Sequence, residues 1–271
     1  MVNIELVPNP ATIKEIIEES RDVKSFVLEY VEPKSMNARP GQFIEVSVQG
    51  YGEATFAVTR TAQSGKEFTI SVKRIGHLTK ILHRSAEGDI IGVRGPYGNS
   101  FPVSEWHGKS IVIIGGGIGL APLRPVIDHI VEHRKEFGDL EIIFGARSPA
   151  DILYKEDLKK WEQDKGVKLY TTIDVPFEGW NGRVGLVPVV VKDLAVKADD
   201  KIAVVCGPPI MIKFTVAALK ELGWPHDRIY TTLEMKMQCG IGQCGRCNIG
   251  EKFICKDGPV FSLDQIPTYA L

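Results

Sequence analysis

Four cysteines, Cys239, Cys244, Cys247 and Cys255, fall within 17 consecutive residues in the spacing C-x4-C-x2-C-x7-C. Few structures can absorb that crowding. A disulfide framework spreads its cysteines through a fold and belongs to secreted chains. The N-terminus MVNIELVPNP lacks the basic stretch and apolar core of a secretory signal. A metal or cluster site is therefore the expectation. The first three positions match the plant-type [2Fe–2S] spacing, with a fourth ligand further on. Gly240, Gly242 and Gly245 stand between the ligands. They let a loop wrap tightly and aim backbone N–H groups at sulfur, and Arg246 can act on the same sulfurs through its charge. Structural zinc is the alternative, but zinc sites usually combine two short-spaced pairs and only one C-x2-C is present. The fifth cysteine, Cys206, stands alone.

The 271 residues suggest two domains with room for a small third. With 33 Lys and Arg against 34 Asp and Glu, the net charge of −1 offers no bulk field for nucleic acid or an acidic membrane surface. The longest apolar-plus-glycine stretch, residues 111–123, is 13 residues. That is too short for ~30 Å of hydrocarbon, and the expected location is the cytoplasm. The first hundred residues read as antiparallel β, forming a barrel or sandwich. In GQFIEVSVQG, Phe43, Glu45 and Ser47 fall on one face and Ile44, Val46 and Val48 on the other. One helix, residues 77–85, interrupts the strands. Beyond residues 101–108, KSIVIIGGG, LEIIFGAR, VKLYTTID and KIAVVCGPP read as buried strands. LRPVIDHIVEHRKEFG, PADILYKEDLKKWEQD and MIKFTVAALKELG read as helices. This alternation predicts a doubly wound α/β domain with a parallel sheet. From about residue 230 the chain is rich in glycine and cysteine, with little periodicity. The expected boundaries are 1–104, 105–229 and 230–271.

The strand ending at Ile114 runs into GGGIGLAP, residues 115–122. The strict GxGxxG fingerprint is not met. The physics is similar, because glycines let a pyrophosphate approach a helix N-terminus whose amides are unpaired. Gly117, Ile118, Gly119, Leu120, Ala121 and Pro122 are the candidate dinucleotide residues, and a tight turn without a ligand is the alternative. The next strand ends in Arg147-Ser148 where an acidic residue would hold a ribose hydroxyl. These two residues suit a 2′-phosphate and lean toward NADPH, unless Arg147 is simply a solvated loop residue. His129 and His133 are four apart on one helix, and they read as a polar face rather than a metal site.

RGPYGNSFP (residues 94–102), GGGIGLAPL (115–123), CGPPIM (206–211) and CGIGQCGRCNIGEKFICKDGPVF (239–261) together resemble the ferredoxin–NADP reductase superfamily over essentially the full length. More narrowly, they resemble the gamma subunits of sulfhydrogenases and NADP-linked [NiFe] hydrogenases. One of the subunits of anaerobic sulfite reductase and the electron-transfer subunits of dihydroorotate dehydrogenases are similar too. The resemblance implies an antiparallel Greek-key FAD barrel, an NAD(P) domain and a small cluster segment. It implies flavin contacts at Thr55, Phe56, Ala57, Val58 and Thr59, and at Val72, Lys73, Arg74, Gly76, His77 and Thr79. Ala54 and Ala57 replace the arginine and serine of the family's R-x-Y-S strand. Thr59, Thr55 or a backbone amide would then have to meet flavin N5. The resemblance also places Cys206, Gly207 and Pro208 by the nicotinamide.

The function so implied is hydride exchange between NAD(P)H and FAD, followed by relay of single electrons through a [2Fe–2S] cluster to a partner redox subunit. A [NiFe] hydrogenase is the first choice of partner. Sulfite reductase, heterodisulfide-reductase-like and dihydroorotate dehydrogenase complexes are alternatives. No GxSxG elbow, HExxH or acid pair suggests a second catalytic constellation, so no side chain is assigned a catalytic role. Two further readings stay open, a zinc-stapled NAD(P)H sensor and a self-contained flavin reductase.

Overall fold

Alternating apolar residues let the first strands of the chain close on themselves. The computed structural model describes residues 6–266. Strands β1 (Asn9–Glu18), β2 (Val23–Tyr30), β3 (Phe43–Val48), β4 (Gly52–Thr61), β5 (Glu67–Lys73) and β6 (Ile90–Tyr97) form a closed antiparallel barrel. The order is β1-β2-β5-β4-β3-β6, sealed by pairing of β1 with β6. Closure removes the unpaired edges of an open sheet. Ile13, Phe26, Leu28, Ile44, Val46, Phe68, Ile70 and Val93 fill the interior. Helix α1 (His77–Leu82) packs Leu78 and Leu82 against this core. It stops three residues before the expected end, where residues 82–85 tighten into turns through Arg84 N–H to Ile81 O and Ser85 N–H to Leu82 O.

The chain forms two compact units. Among the described residues, one contains 6–101 together with Leu233–Pro259, and the other Pro102–Thr232 with 260–266. In the first unit, β3 alternates as its sequence suggests, yet Phe43 and Glu45 on its outer face are buried too. The return segment, with β13 (Asn248–Ile249), β14 (Lys252–Phe253) and α6 (Ile254–Asp257), covers that face. Gly98 marks how closely the two run. A Cβ there would lie 2.7 Å from Gly258 O and 2.9 Å from the Phe43 ring.

The second unit holds a seven-stranded sheet in the order β10-β9-β8-β7-β11-β12-β15. Its strands are β7 (Ser110–Gly116), β8 (Leu140–Ala146), β9 (Val167–Ile173), β10 (Arg183–Val184), β11 (Lys201–Cys206), β12 (Ile229–Thr232) and β15 (Val260–Ser262). All neighbours are parallel except β12 and β15. The helices are α2 (Leu120–Glu132), α3 (Lys155–Glu162), α4 (Val187–Asp193) and α5 (Pro209–Glu221).

Two sequence expectations are corrected here. PADILYKEDLKKWEQD is not one helix. A 3₁₀ turn at Pro149–Asp151 is followed by buried, non-helical Ile152, Leu153 and Tyr154, and only then by α3. Tyr154 adopts φ 52°, which breaks the helical path. The apolar triplet goes into the core instead of along a helix face, and Arg124 stacks on the Tyr154 ring at 4.5 Å. The tail is also more regular than its composition suggests. It supplies β15, three buried residues paired with β12 and too short to show a period. Among the described residues, no helix is long and apolar enough to cross a membrane.

Candidate cofactor sites

Sulfur is a weak acceptor in an apolar interior, so buried thiolates need donors close by. Cys239, Cys247 and Cys255 are buried and Cys244 is exposed. The amides of Gln243 and Cys244 point at Cys239 Sγ at 3.3 and 3.4 Å. Gly242 donates to Cys255 Sγ at 3.0 Å, and Cys255 N–H to Cys247 Sγ at 3.5 Å. Gly240 and Gly242 have φ of 77° and 76°, a turn that other residues resist. Burial works against the Cys239 thiolate, but the amides of Ile241, Cys244 and Gln243 outweigh it and pull the thiol down to about 6. Burial, then the Cys247 side chain, pushes Cys255 up.

The thiols fall into two pairs. Cys247 and Cys255 have their sulfurs 3.3 Å apart, and Cys239 is hydrogen-bonded to the Cys244 side chain. Among the described residues, no three His, Cys, Asp or Glu side chains close round one point. Two pairs suit two irons, each taking two thiolates, better than one tetrahedral zinc. Arg246 reaches Gln238 Oε1 at 3.2 Å rather than a sulfur. His129 and His133 stack at 4.4 Å, and among the described residues no third metal-ligating side chain joins them.

The barrel face beneath this loop carries a polar group that sequence reasoning missed. Glu45 is 1% exposed and accepts from the Thr55 hydroxyl at 2.8 Å. Burial pushes its carboxyl up to about 7; Glu53 adds to this, while Thr55 and Arg94 oppose it. Strand alternation put Glu45 on the outer face. Nothing nearby in sequence says that residues about 190 positions later would cover it.

The expected flavin stretches lie on β4 and at the end of β5. Thr55, Phe56 and Ala57 are half-buried, whereas Val58 and Thr59 are buried. Phe56 packs on the barrel core. The Thr55 hydroxyl donates to Glu45 and the Thr59 hydroxyl to Thr69 O at 3.1 Å. Both threonine protons that could stand in for the missing serine are thus committed elsewhere. Val72 is buried, Lys73 half-buried, and Arg74, Gly76 and His77 are exposed. The His77 ring lies 5.9 Å from that of Tyr51. Thr79 Oγ1 accepts from the amides of Ile75 and Gly76 at 3.0 and 2.8 Å, fixing the turn into α1. A cationic, partly aromatic, solvent-open corner next to a half-buried strand fits a flavin with its pyrophosphate.

In the second unit the chain leaves β7 in one direction, to β8 and β9, and returns on the other side at β11. This reversal of strand order opens a crevice at the carboxyl ends of β7 and β11, where doubly wound sheets bind ligands. Gly115 pairs with Cys206 across those two ends. A Cβ on Gly119 would lie 2.5 Å from Cys206 O and from Gly207 Cα. The structure thus brings the 117–122 and 206–208 stretches together. Leu120 and Ala121 face the core, leaving Gly117, Ile118 and Pro122 partly open. No side chain caps α2 at Gly119; the Leu120 amide is bonded to Gly117 O and Ile118 O and Pro122 carries none, so Ala121 is the first-turn residue whose amide is left for a phosphate. Cys206 is 3% exposed and lies 3.0 Å from Thr232 Oγ1. Arg147 pairs with Asp151 at 3.2 Å, and the Ser148 hydroxyl donates to the same carboxylate at 2.8 Å. A 2′-phosphate would meet that acidic group, which weakens the lean toward NADPH.

Comparison with known proteins agrees with this layout. Residues 10–101 match the oxidoreductase FAD-binding domain and residues 113–217 the oxidoreductase NAD-binding domain. Residues 234–267 match the iron–sulfur cluster binding domain of dihydroorotate dehydrogenase B. Sulfhydrogenase 2 subunit gamma of Pyrococcus furiosus is 34% identical, covering 96% of this chain and 97% of that one. The probable dihydroorotate dehydrogenase B (NAD(+)) electron transfer subunit of Methanocaldococcus jannaschii is 35% identical over 94% of this chain and 89% of its own. A chain of the NADH-dependent reduced ferredoxin-NADP oxidoreductase structure superposes with a TM-score of 0.79 at 28% identity, over 98% of this chain and 91% of that chain.

Two outcomes follow for variants. Gly119→Ala forces a shift of the Cys206 loop and is expected to weaken NAD(P)H binding about tenfold or more, roughly 1.4 kcal/mol, in a fluorescence titration. Glu45 has a folded pKa above its ordinary 4.5. The folded state therefore holds its proton more tightly, and its contribution is fully present below about 4.5 and lost as pH rises to about 7. Glu45→Gln is expected to gain stability relative to wild type between pH 5 and pH 8 in urea unfolding. A constant difference across that range would contradict the assignment.

Proposed function

Because the chain belongs to the ferredoxin–NADP reductase superfamily, in the branch of sulfhydrogenase gamma subunits and dihydroorotate dehydrogenase electron-transfer subunits, we propose that it exchanges hydride with NAD(P)H at FAD and passes single electrons through a [2Fe–2S] cluster to or from a partner hydrogenase. The observation that carries the reading is the pairing of four thiols under backbone amides. They lie in a chain that also has FAD-binding and NAD-binding domains. When bound, the flavin supplies the change from two-electron to one-electron chemistry, which nicotinamide cannot perform, and the cluster supplies a one-electron outlet.

The chain's own residues bind and orient. We assign Thr55–Thr59 and Val72, Lys73, Arg74, Gly76, His77 and Thr79 to the flavin, residues 117–122 with Cys206–Pro208 to the dinucleotide, and the four clustered cysteines to the two irons. Among the described residues of the dinucleotide site, Asp151 holds Arg147 and Ser148, an arrangement that suits a ribose without a 2′-phosphate. The geometry carries no preference for a 2′-phosphate, and NAD(P)H is kept as the substrate class. Cys206 shapes the loop with Thr232 and is given no chemical role.

A [NiFe] hydrogenase is supported as partner by the near end-to-end match to a sulfhydrogenase gamma subunit. A dihydroorotate dehydrogenase is the second reading, favoured by the cluster-domain match and the similar identity to its electron-transfer subunit. Anaerobic purification of the native complex separates them. The expected result is a large subunit carrying nickel, together with hydrogen-dependent reduction of NAD(P)+. Reduction driven by dihydroorotate instead would move the chain to the second reading. Zinc without iron and sulfide would remove both.

A further inference from the structure

We propose that Arg94 is the positioning residue of the cluster loop, tying its entry to the barrel and fixing where Cys239 presents its sulfur. The proposal rests on the reading that the four cysteines hold an iron–sulfur cluster.

Arg94 lies on β6 and is 3% exposed. Its Nε donates to Glu53 Oε1 at 2.8 Å, and Nη2 pairs with Glu53 Oε2. Nη2 also donates to Gln238 O at 2.9 Å, and Nη1 to Cys239 O at 2.8 Å. Nη1 further reaches the Tyr97 hydroxyl at 3.4 Å. All five guanidinium N–H groups therefore have an acceptor in reach. A carboxylate orients one edge of the fork, and two consecutive carbonyls of the loop take the other. Pinning both carbonyls fixes the peptide planes on either side of the Cys239 Cα. The Cys239 sulfur, in turn, receives the amides of Gln243 and Cys244.

The same strand end holds the far side of the loop. Asn99 donates from its backbone to Gly258 O at 2.6 Å and from Nδ2 to Asp257 O at 3.1 Å, just after Cys255. The RGPYGN stretch thus grips the cluster loop at entry and exit. Lysine cannot replace Arg94, because a single ammonium on a flexible stem does not span a carboxylate and two carbonyls in one plane.

The test uses the full chain, reconstituted anaerobically with FAD, iron and sulfide, as wild type, Arg94→Lys and Arg94→Met. Bound FAD reports an intact barrel. The readouts are the rate of iron loss to a ferrous chelator, the EPR line shape of the dithionite-reduced cluster and its midpoint potential. Both variants are expected to retain FAD and to lose iron at least tenfold faster, with altered EPR spectra and no rescue by lysine. Arg94→Met should also lower the potential, since a cation is removed. Wild-type rates, spectra and potentials in both variants would overturn the proposal. Should neither variant hold FAD, Glu53→Gln decides: faster iron loss with normal FAD supports the role, and an unchanged rate refutes it. Wild-type protein that binds no iron or sulfide would instead overturn the functional reading.

Discussion

Backbone amides aimed at buried sulfur are the requirement around which the first unit is arranged. Three of the four clustered thiols are buried, and negative charge on them is tolerable only with donors at hydrogen-bond distance. Supplying those donors from a short loop forces glycine into left-handed turns at positions 240 and 242. Such a loop has little core of its own and must lie on something rigid. A closed barrel meets that need, and its outer face at β3, β4 and β6 is polar where the loop crosses it. Glu45 and Arg94 are the consequence: charged groups on a strand face that would ordinarily be solvated, here buried, Arg94 pairing with the more exposed Glu53 and Glu45 accepting from Thr55.

The dinucleotide site obeys a different constraint. In a doubly wound parallel sheet, ligands meet the loops outside the carboxyl ends of the strands, at the point where strand order reverses. Reversal of strand order after β7 sets the glycine loop and the Cys206 loop side by side. Their approach is close enough that Gly119 has no room for a side chain. Gly117 and Gly119 thus do different jobs: the first turns the chain with φ +54° and the second permits contact between loops.

Much of this was legible because it is local. Alternation at residues 43–48 gave the barrel strand, the run at 110–116 gave the buried parallel strand, and spacing singled out the four cysteines that the structure holds in two pairs. What escaped depends on distant partners. β15 is recognisable only from its pairing with β12, and burial of Glu45 only from the segment that folds over it. PADILYKEDLKKWEQD has good helix formers, but three apolar residues at 152–154 are worth more in the core than on a helix, and tertiary packing overrode propensity. The flavin was not readable from periodicity at all. It came from resemblance, and the structure adds that the two candidate hydroxyls are already committed.

The central claim is that hydride entering at one end leaves as single electrons through paired thiolates. Anaerobic titration of the reconstituted chain with NADH and with NADPH, followed by absorbance and low-temperature EPR on the same samples, tests it most directly. Bleaching of the flavin band together with the growth of a reduced two-iron cluster signal is the expected result. A flavin that bleaches while the cluster stays EPR-silent, or no response to either nucleotide, would contradict it.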